Sequence, residues 1–131
     1  MTEISVHDNM VTGYAVSCDR REIVIHTIYR DREPNEKTDI VFHGVEAFHL
    51  VGDNMQTILF DVDESPIEQI LKDFASEFKA GVNYAWPGLW NKSPESCMKH
   101  CVERKCKGWI VTSSFGMGGF IIARSMELKQ E

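Results

Sequence analysis

Four β-prone segments follow one another between residues 11 and 62, joined by polar turns too short to hold a helix. Such links favour antiparallel pairing, because a parallel pair needs a crossover of a dozen or more residues. The first segment, VTGYAVSC at 11–18, sets Tyr14 and Val16 on one face. In EIVIHTIYR at 22–30, Ile23, Ile25, Thr27 and Tyr29 alternate with Val24, His26 and Ile28. Apolar groups on both faces predict a central strand covered on two sides. After the polar loop DREPNEKT at 31–38, DIVFHGVEAFHLV at 39–51 reads as one long run with Gly44 as its bulge or bend. TILFDV at 57–62 completes a four-strand meander.

The hydrophobic period then changes. In ESPIEQILKDFASEFKAG, Ser65 is placed as N-cap, Pro66 at the first helical position and Glu68 as the far side of a capping box. Ile67, Ile70, Leu71, Phe74 and Phe78 follow at helical spacing, and Gly81 closes the helix. A second helix begins with the same chemistry at Ser93 and Pro94 and runs to about Lys107, with Gly108 behind it. WIVTSS at 109–114 and FIIARS at 120–125 form a hairpin around FGMGG. The expected fold is a single α+β domain spanning 1–131. It has an antiparallel meander of about four strands, two helices packed on one face of the sheet, and a C-terminal β-hairpin.

Net charge narrows the partners. A balance of −6, with scattered Lys and Arg, argues against nucleic acid, whose phosphates reward clustered cations. An acidic surface steers a basic protein instead. No apolar run approaches a membrane span, and MTEISVHDN lacks the basic-then-apolar pattern of a secretory signal. Three of the four cysteines crowd one segment, unlike a disulfide framework, so reduced thiols in a cytoplasmic protein are expected.

That segment, CMKHCVERKC at 97–106, looks most like chemistry. On a helix, Cys97, Met98, Cys101 and Val102 form the apolar stripe, while Lys99, His100, Glu103, Arg104 and Lys107 cover the opposite side. The thiols are therefore expected in the core, as small hydrophobes. Zinc is the sharper alternative, but Cys106 is rotated well away from the Cys97–Cys101 axis and no second pair exists. A redox role lacks a C-x-x-C pair and any evident group beyond lysines to lower a thiol pKa.

His26, His43 and His49 lie on strands and, with Asp61 or Asp63, offer a second metal alternative. Asp61, Asp63 and Glu64 are read more simply, as acids complementing a helix N-terminus. GMGG precedes a strand rather than a helix, so it is a hairpin turn and not a phosphate loop. No catalytic motif is present, and neither cofactor nor metal is expected. The loop NYAWPGLWNK at 83–92, with Tyr84, Trp86, Leu89 and Trp90, either tucks over a core edge or meets a partner.

The segments VHDNMVTGYAVSC, REIVIHTIYRDREP, TDIVFHGVEAFHL and ILFDV resemble a set of small bacterial proteins of mostly unassigned role, and SSFGMGGFIIARS looks like their terminal hairpin. Short, acidic chains of this kind without a catalytic motif are similar to the immunity proteins of contact-dependent and other polymorphic toxin systems. The likeness is one of size, charge and motif absence, and it carries no residue roles over. It implies a non-catalytic protein that neutralises a basic toxin domain by occlusion. Candidate contacts are Asp31, Glu33, Glu36, Asp53, Asp63 and Glu64, with Trp86 and Trp90 as anchors. A metal-binding protein or metal-dependent hydrolase using the histidines or cysteines is the alternative. An assembly subunit that hides an edge strand by self-pairing is a third reading.

Overall fold

The computed structural model describes residues 5–31 and 33–130, which leaves Arg32 of the expected 31–38 loop outside the description. Eight strands are present among these residues. They are β1 (Met10–Ser17), β2 (Glu22–Tyr29), β3 (Glu36–His43), β4 (Ala47–Val51), β5 (Ile58–Ser65), β6 (Lys107–Phe115), β7 (Gly118–Ala123) and β8 (Ser125–Gln130). Three α-helices, α1 (Ile67–Asp73), α2 (Ala75–Gly81) and α3 (Pro94–Glu103), lie between β5 and β6.

All pairings are antiparallel, and the strand order is β4-β7-β6-β5-β1-β2-β3-β8. The two ends of this order belong to one bent ribbon. β3 turns through Gly44 into β4, β7 turns through Arg124 into β8, and β3–β8 pairing gives way to β4–β7 pairing across the bend. The Arg124 amide donates to the carbonyls of His43 and Gly44, which pins the corner. Gly44 sits at φ +64°, and a Cβ there would lie 2.3 Å from the Arg124 guanidinium and 3.1 Å from its Cβ, so glycine is favoured at the bend. The sheet therefore curls round on itself into an open-sided barrel.

Alternation fills the barrel. Ile23 and Ile25 from β2, Ile40 and Phe42 from β3, Leu59 from β5, Trp109 and Val111 from β6, and Ile121 from β7 share one buried cluster. Burying each such side chain stabilises by about 1.5–3 kcal/mol. Intervening residues of β4, β6 and β7 point the other way. Ala47, Ile110, Phe120 and Ile122 there meet Ile70, Leu71, Phe78, Cys97 and Cys101 of the helices in a second cluster. β7 is thus buried on both faces, which explains its unbroken apolar run FIIA.

The α+β class, the antiparallel sheet and the helix layer on one face agree with the sequence. Several details do not. The meander ends after three strands, because β4 leaves to pair with β7, and the hairpin β6–β7 is followed by one further strand, β8. β3 begins at Glu36, inside the expected loop, and β8 is an extra strand whose charged sequence SMELKQ hides its extension. β2 is central, but no β2 residue enters the helix layer, and His26 on its outer face is exposed.

The first helix breaks at Phe74 (φ −114°). The break lets Phe74 and Phe78 both reach Phe120, with ring centroids 4.8 and 5.4 Å away. No capping box forms at Ser65 and Glu68. Ser65 is the last residue of β5, paired with Gly108, and Pro66 takes the cap position without a side-chain bond. The box does form at Ser93, where it is closed by Ser96.

Candidate functional site: a groove between two strand edges

β4 has a hydrogen-bonded strand on one side only, β7. β1 meets β5 at Met10↔Ile58 and through the Val11 amide to the Thr57 carbonyl. Beyond Val11, its ladder runs with β2 alone. The free sides of β1 and β4 flank a groove of about 560 Å³. Val16, Ser17 and Cys18 form one bank, Ala47 to Leu50 the other, and Ile23 and Val45 lie in the floor. Trp86 and Pro87 close one side. Val16 and Phe48 remain 41% and 38% exposed, which leaves apolar surface on both banks. Beside the groove, the Tyr14 hydroxyl donates to Asp53 Oδ2 at 2.5 Å, which holds the phenol above its ordinary pKa.

The other edge of the sheet makes an instructive contrast. β8 presents Glu127 and Lys129, which pair with each other at 3.2 Å. Charged edge strands resist unwanted pairing. β4, with the sequence AFHLV, has no such charges.

Glu46 stands at the head of β4, with its carboxylate 8% exposed. His100 Nε2 of α3 donates to its Oε1 at 2.7 Å, and Arg21 Nη1 of the β1–β2 turn approaches Oε2 at 3.3 Å. The Val45 amide donates to the Arg21 carbonyl at 2.9 Å. One carboxylate therefore ties the rim of the groove to both the barrel and the helix layer. The His100 ring also stacks on Trp90, with centroids 4.4 Å apart and planes 3° from parallel. His100 does not sit on an outer helix face as its spacing implies, because Glu46 compensates its burial.

The sequence-chosen contacts fall in several places. Asp31 and Glu33 are exposed in the β2–β3 turn, and Glu36 opens β3 half-buried. Asp53 lies beside the groove, while Asp63 and Glu64 are exposed near the end of β5. Trp86 is half-buried against Phe78 and His49, yet its edge reaches the groove. Trp90 is half-buried on His100, and it is Leu89 and Tyr84 that point outward, 81% and 84% exposed.

Cys97 and Cys101 are buried in the helix layer with Met98 packed beside them, as the stripe implies, but Val102 of the same stripe is 69% exposed. Cys97 Sγ donates to Asn91 Oδ1 at 3.0 Å, and Asn91 Nδ2 donates to the carbonyls of Phe78 and Trp86. Asn91 escaped the sequence reading because it sits in an irregular loop. Burial raises the Cys97 thiol pKa.

The strand histidines do not converge. His26 pairs with Asp39, His43 lies between Glu22 and Glu127, and His49 packs flat on Phe120. Among the described residues, no three His, Cys, Asp or Glu side chains are grouped so as to hold a metal ion. No helix there is long and apolar enough to cross a membrane. Compared with protein-family models, curated proteins and solved structures, the chain matches none.

Proposed function

We propose that this chain is a non-catalytic protein-binding module whose β1–β4 groove takes an extended, basic segment of a partner protein. The observation that carries this reading is a free, uncharged strand edge on β4 facing the incompletely paired β1 across an apolar groove. An added strand hydrogen-bonds along such an edge, and pockets for alternate side chains select its sequence. Val16 and Phe48 supply the apolar contacts, and Trp86 supplies an aromatic wall. Glu22 and Glu46 are the acidic members of the lining, and Arg21 is its one Lys or Arg. The net charge of −6 draws a basic partner from a distance. In this reading Asp31, Glu33, Glu36, Asp63 and Glu64 act through that field, raising the association rate. The partner class that fits the sequence resemblance is a toxin domain, neutralised by occlusion.

The test uses two synthetic peptides, one alternating Lys and Val and one alternating Glu and Val, added to labelled protein. The Lys/Val peptide is expected to shift backbone amide signals of 12–17 and 47–51, with affinity that falls as salt rises. Equal response to both peptides, shifts elsewhere, or a concentration-dependent dimer that already hides β4 would sink the proposal.

A further inference from the structure

α3 ends in a manner that the spacing of its cysteines conceals. The helix stops at Glu103, Arg104 caps it, and Lys105 adopts the left-handed conformation at φ +57°. The Cys106 amide then donates to the Cys101 carbonyl at 2.9 Å, and the Lys105 amide to the Val102 carbonyl at 3.1 Å. These two bonds define a Schellman turn, in which the side chains three residues before the cap and two after it are brought into contact. Here those side chains are Cys101 and Cys106. Extended as a helix, Cys106 faces away; in the turn, it is carried back to the side of Cys101, and both pack in the helix-layer cluster.

The surroundings differ for the two thiols. Cys101 is 1% exposed, while Cys106 is half-buried and reachable from solvent. The largest influence on the Cys106 thiol is its interaction with Cys101, which favours the thiolate; burial and Glu46 oppose it, and Arg124 from the β7–β8 corner and Arg104 from the helix cap favour it. The same interaction, with burial behind it, raises the Cys101 thiol pKa. The raising of Cys101 is conditional, because its largest cause is the proton it shares with the Cys106 thiolate.

We infer that Cys106 and Cys101 form a peroxide-oxidisable dithiol, with Cys106 as the attacking sulfur and Cys101 as the resolving one. In the first step the Cys106 thiolate attacks a hydroperoxide oxygen. An S–O bond forms, the O–O bond breaks, and the leaving hydroxide or alkoxide takes a proton from water. Sulfur loses two electrons and the peroxide gains them, giving a sulfenic acid. That product no longer accepts the Cys101 proton as a thiolate does, so the largest cause holding Cys101 protonated is removed, while burial remains. The Cys101 sulfur then attacks Cys106, an S–S bond forms, the S–O bond breaks, and hydroxide departs as water with the Cys101 proton. An external dithiol reverses the reaction by two exchange steps. Oxidation locks the turn that holds α3 against the Glu46–His100 contact, and leaves the fold otherwise in place.

The experiment treats the intact, reduced protein with a few equivalents of hydrogen peroxide near neutral pH, blocks remaining thiols with N-ethylmaleimide, and maps peptides by mass. The expected product is a Cys101–Cys106 disulfide that forms before exposed Cys18 is modified and is abolished by dithiothreitol. In Cys101→Ser, the Cys106 sulfenic acid is expected to persist and to be captured by dimedone. Should that variant fail to fold, the wild type is first alkylated with a small amount of iodoacetamide, which is expected to label Cys106 ahead of Cys18 and to prevent the disulfide. A Cys97–Cys101 link, oxidation of Cys18 while Cys101 and Cys106 stay reduced, or alkylation of Cys18 first overturns the assignment.

Discussion

The barrel interior and the helix layer are both buried, yet they are built from different materials. The interior joins Ile23, Ile25, Ile40, Phe42 and Leu59 with alternating strand residues, and its buried polar groups are the Asn9–Thr27–Thr38 chain of hydrogen bonds and Thr57, which accepts from the Met117 amide. The helix layer adds thiols, a buried carboxylate, a stacked histidine and an amide that bonds to three different segments. Apolar packing is tolerant of exchange if volume is kept, whereas a polar network fails when one member is lost. The interior therefore fixes the fold, and the layer fixes the position of α3 and the rim of the groove.

Substitutions in the two regions should separate these roles. Phe42→Ala, inside the barrel, should cost about 3–5 kcal/mol, read as a lower urea midpoint by every spectroscopic probe together. Asn91→Ala removes the side-chain donor to the carbonyls of Phe78 and Trp86 and the acceptor of the Cys97 thiol, and should cost about 1–3 kcal/mol. Its signature should be local, with amide exchange rising in α3 before it rises in β2 and β3. Glu46→Gln removes the charge that holds His100 and Arg21, at about 1–3 kcal/mol by thermal unfolding.

Lys105→Gly should run the other way. Glycine relieves the left-handed strain at φ +57° and should raise stability by about 1 kcal/mol without moving Cys106 from Cys101. Val16→Ser, on the bank of the groove, should change stability by less than about 0.5 kcal/mol. It should still weaken the Lys/Val peptide, as seen by titration. If the interior variant instead behaved locally and the layer variant globally, the division of labour would be wrong.

The parts legible in the sequence were those set by local period. Ile23 and Ile25 alternate into the core as read, Gly44 bends the β3–β4 run as read, and Cys97 with Cys101 pack inward as read. What stayed hidden depends on partners far along the chain. Glu46 finds Arg21 and His100, 25 and 54 residues away, and nothing near it in sequence marks it for burial. β8 is written in charged residues because it is an edge. β4 pairs with β7 only because Gly119 (φ +149°) has no side chain; a Cβ there would meet the His49 carbonyl at 1.7 Å. The turn that joins Cys101 to Cys106 is invisible because a lysine, not a glycine, takes its left-handed position.

The free edge of β4 can be read directly by amide hydrogen exchange on the isolated protein. Residues 47–51 should alternate, slow where the amide faces β7 and fast where it faces the groove, with 13–17 showing the same split on the side away from β2. Uniformly slow exchange along 47–51 would mean that the edge is already occupied, and the groove would lose its claim to a partner.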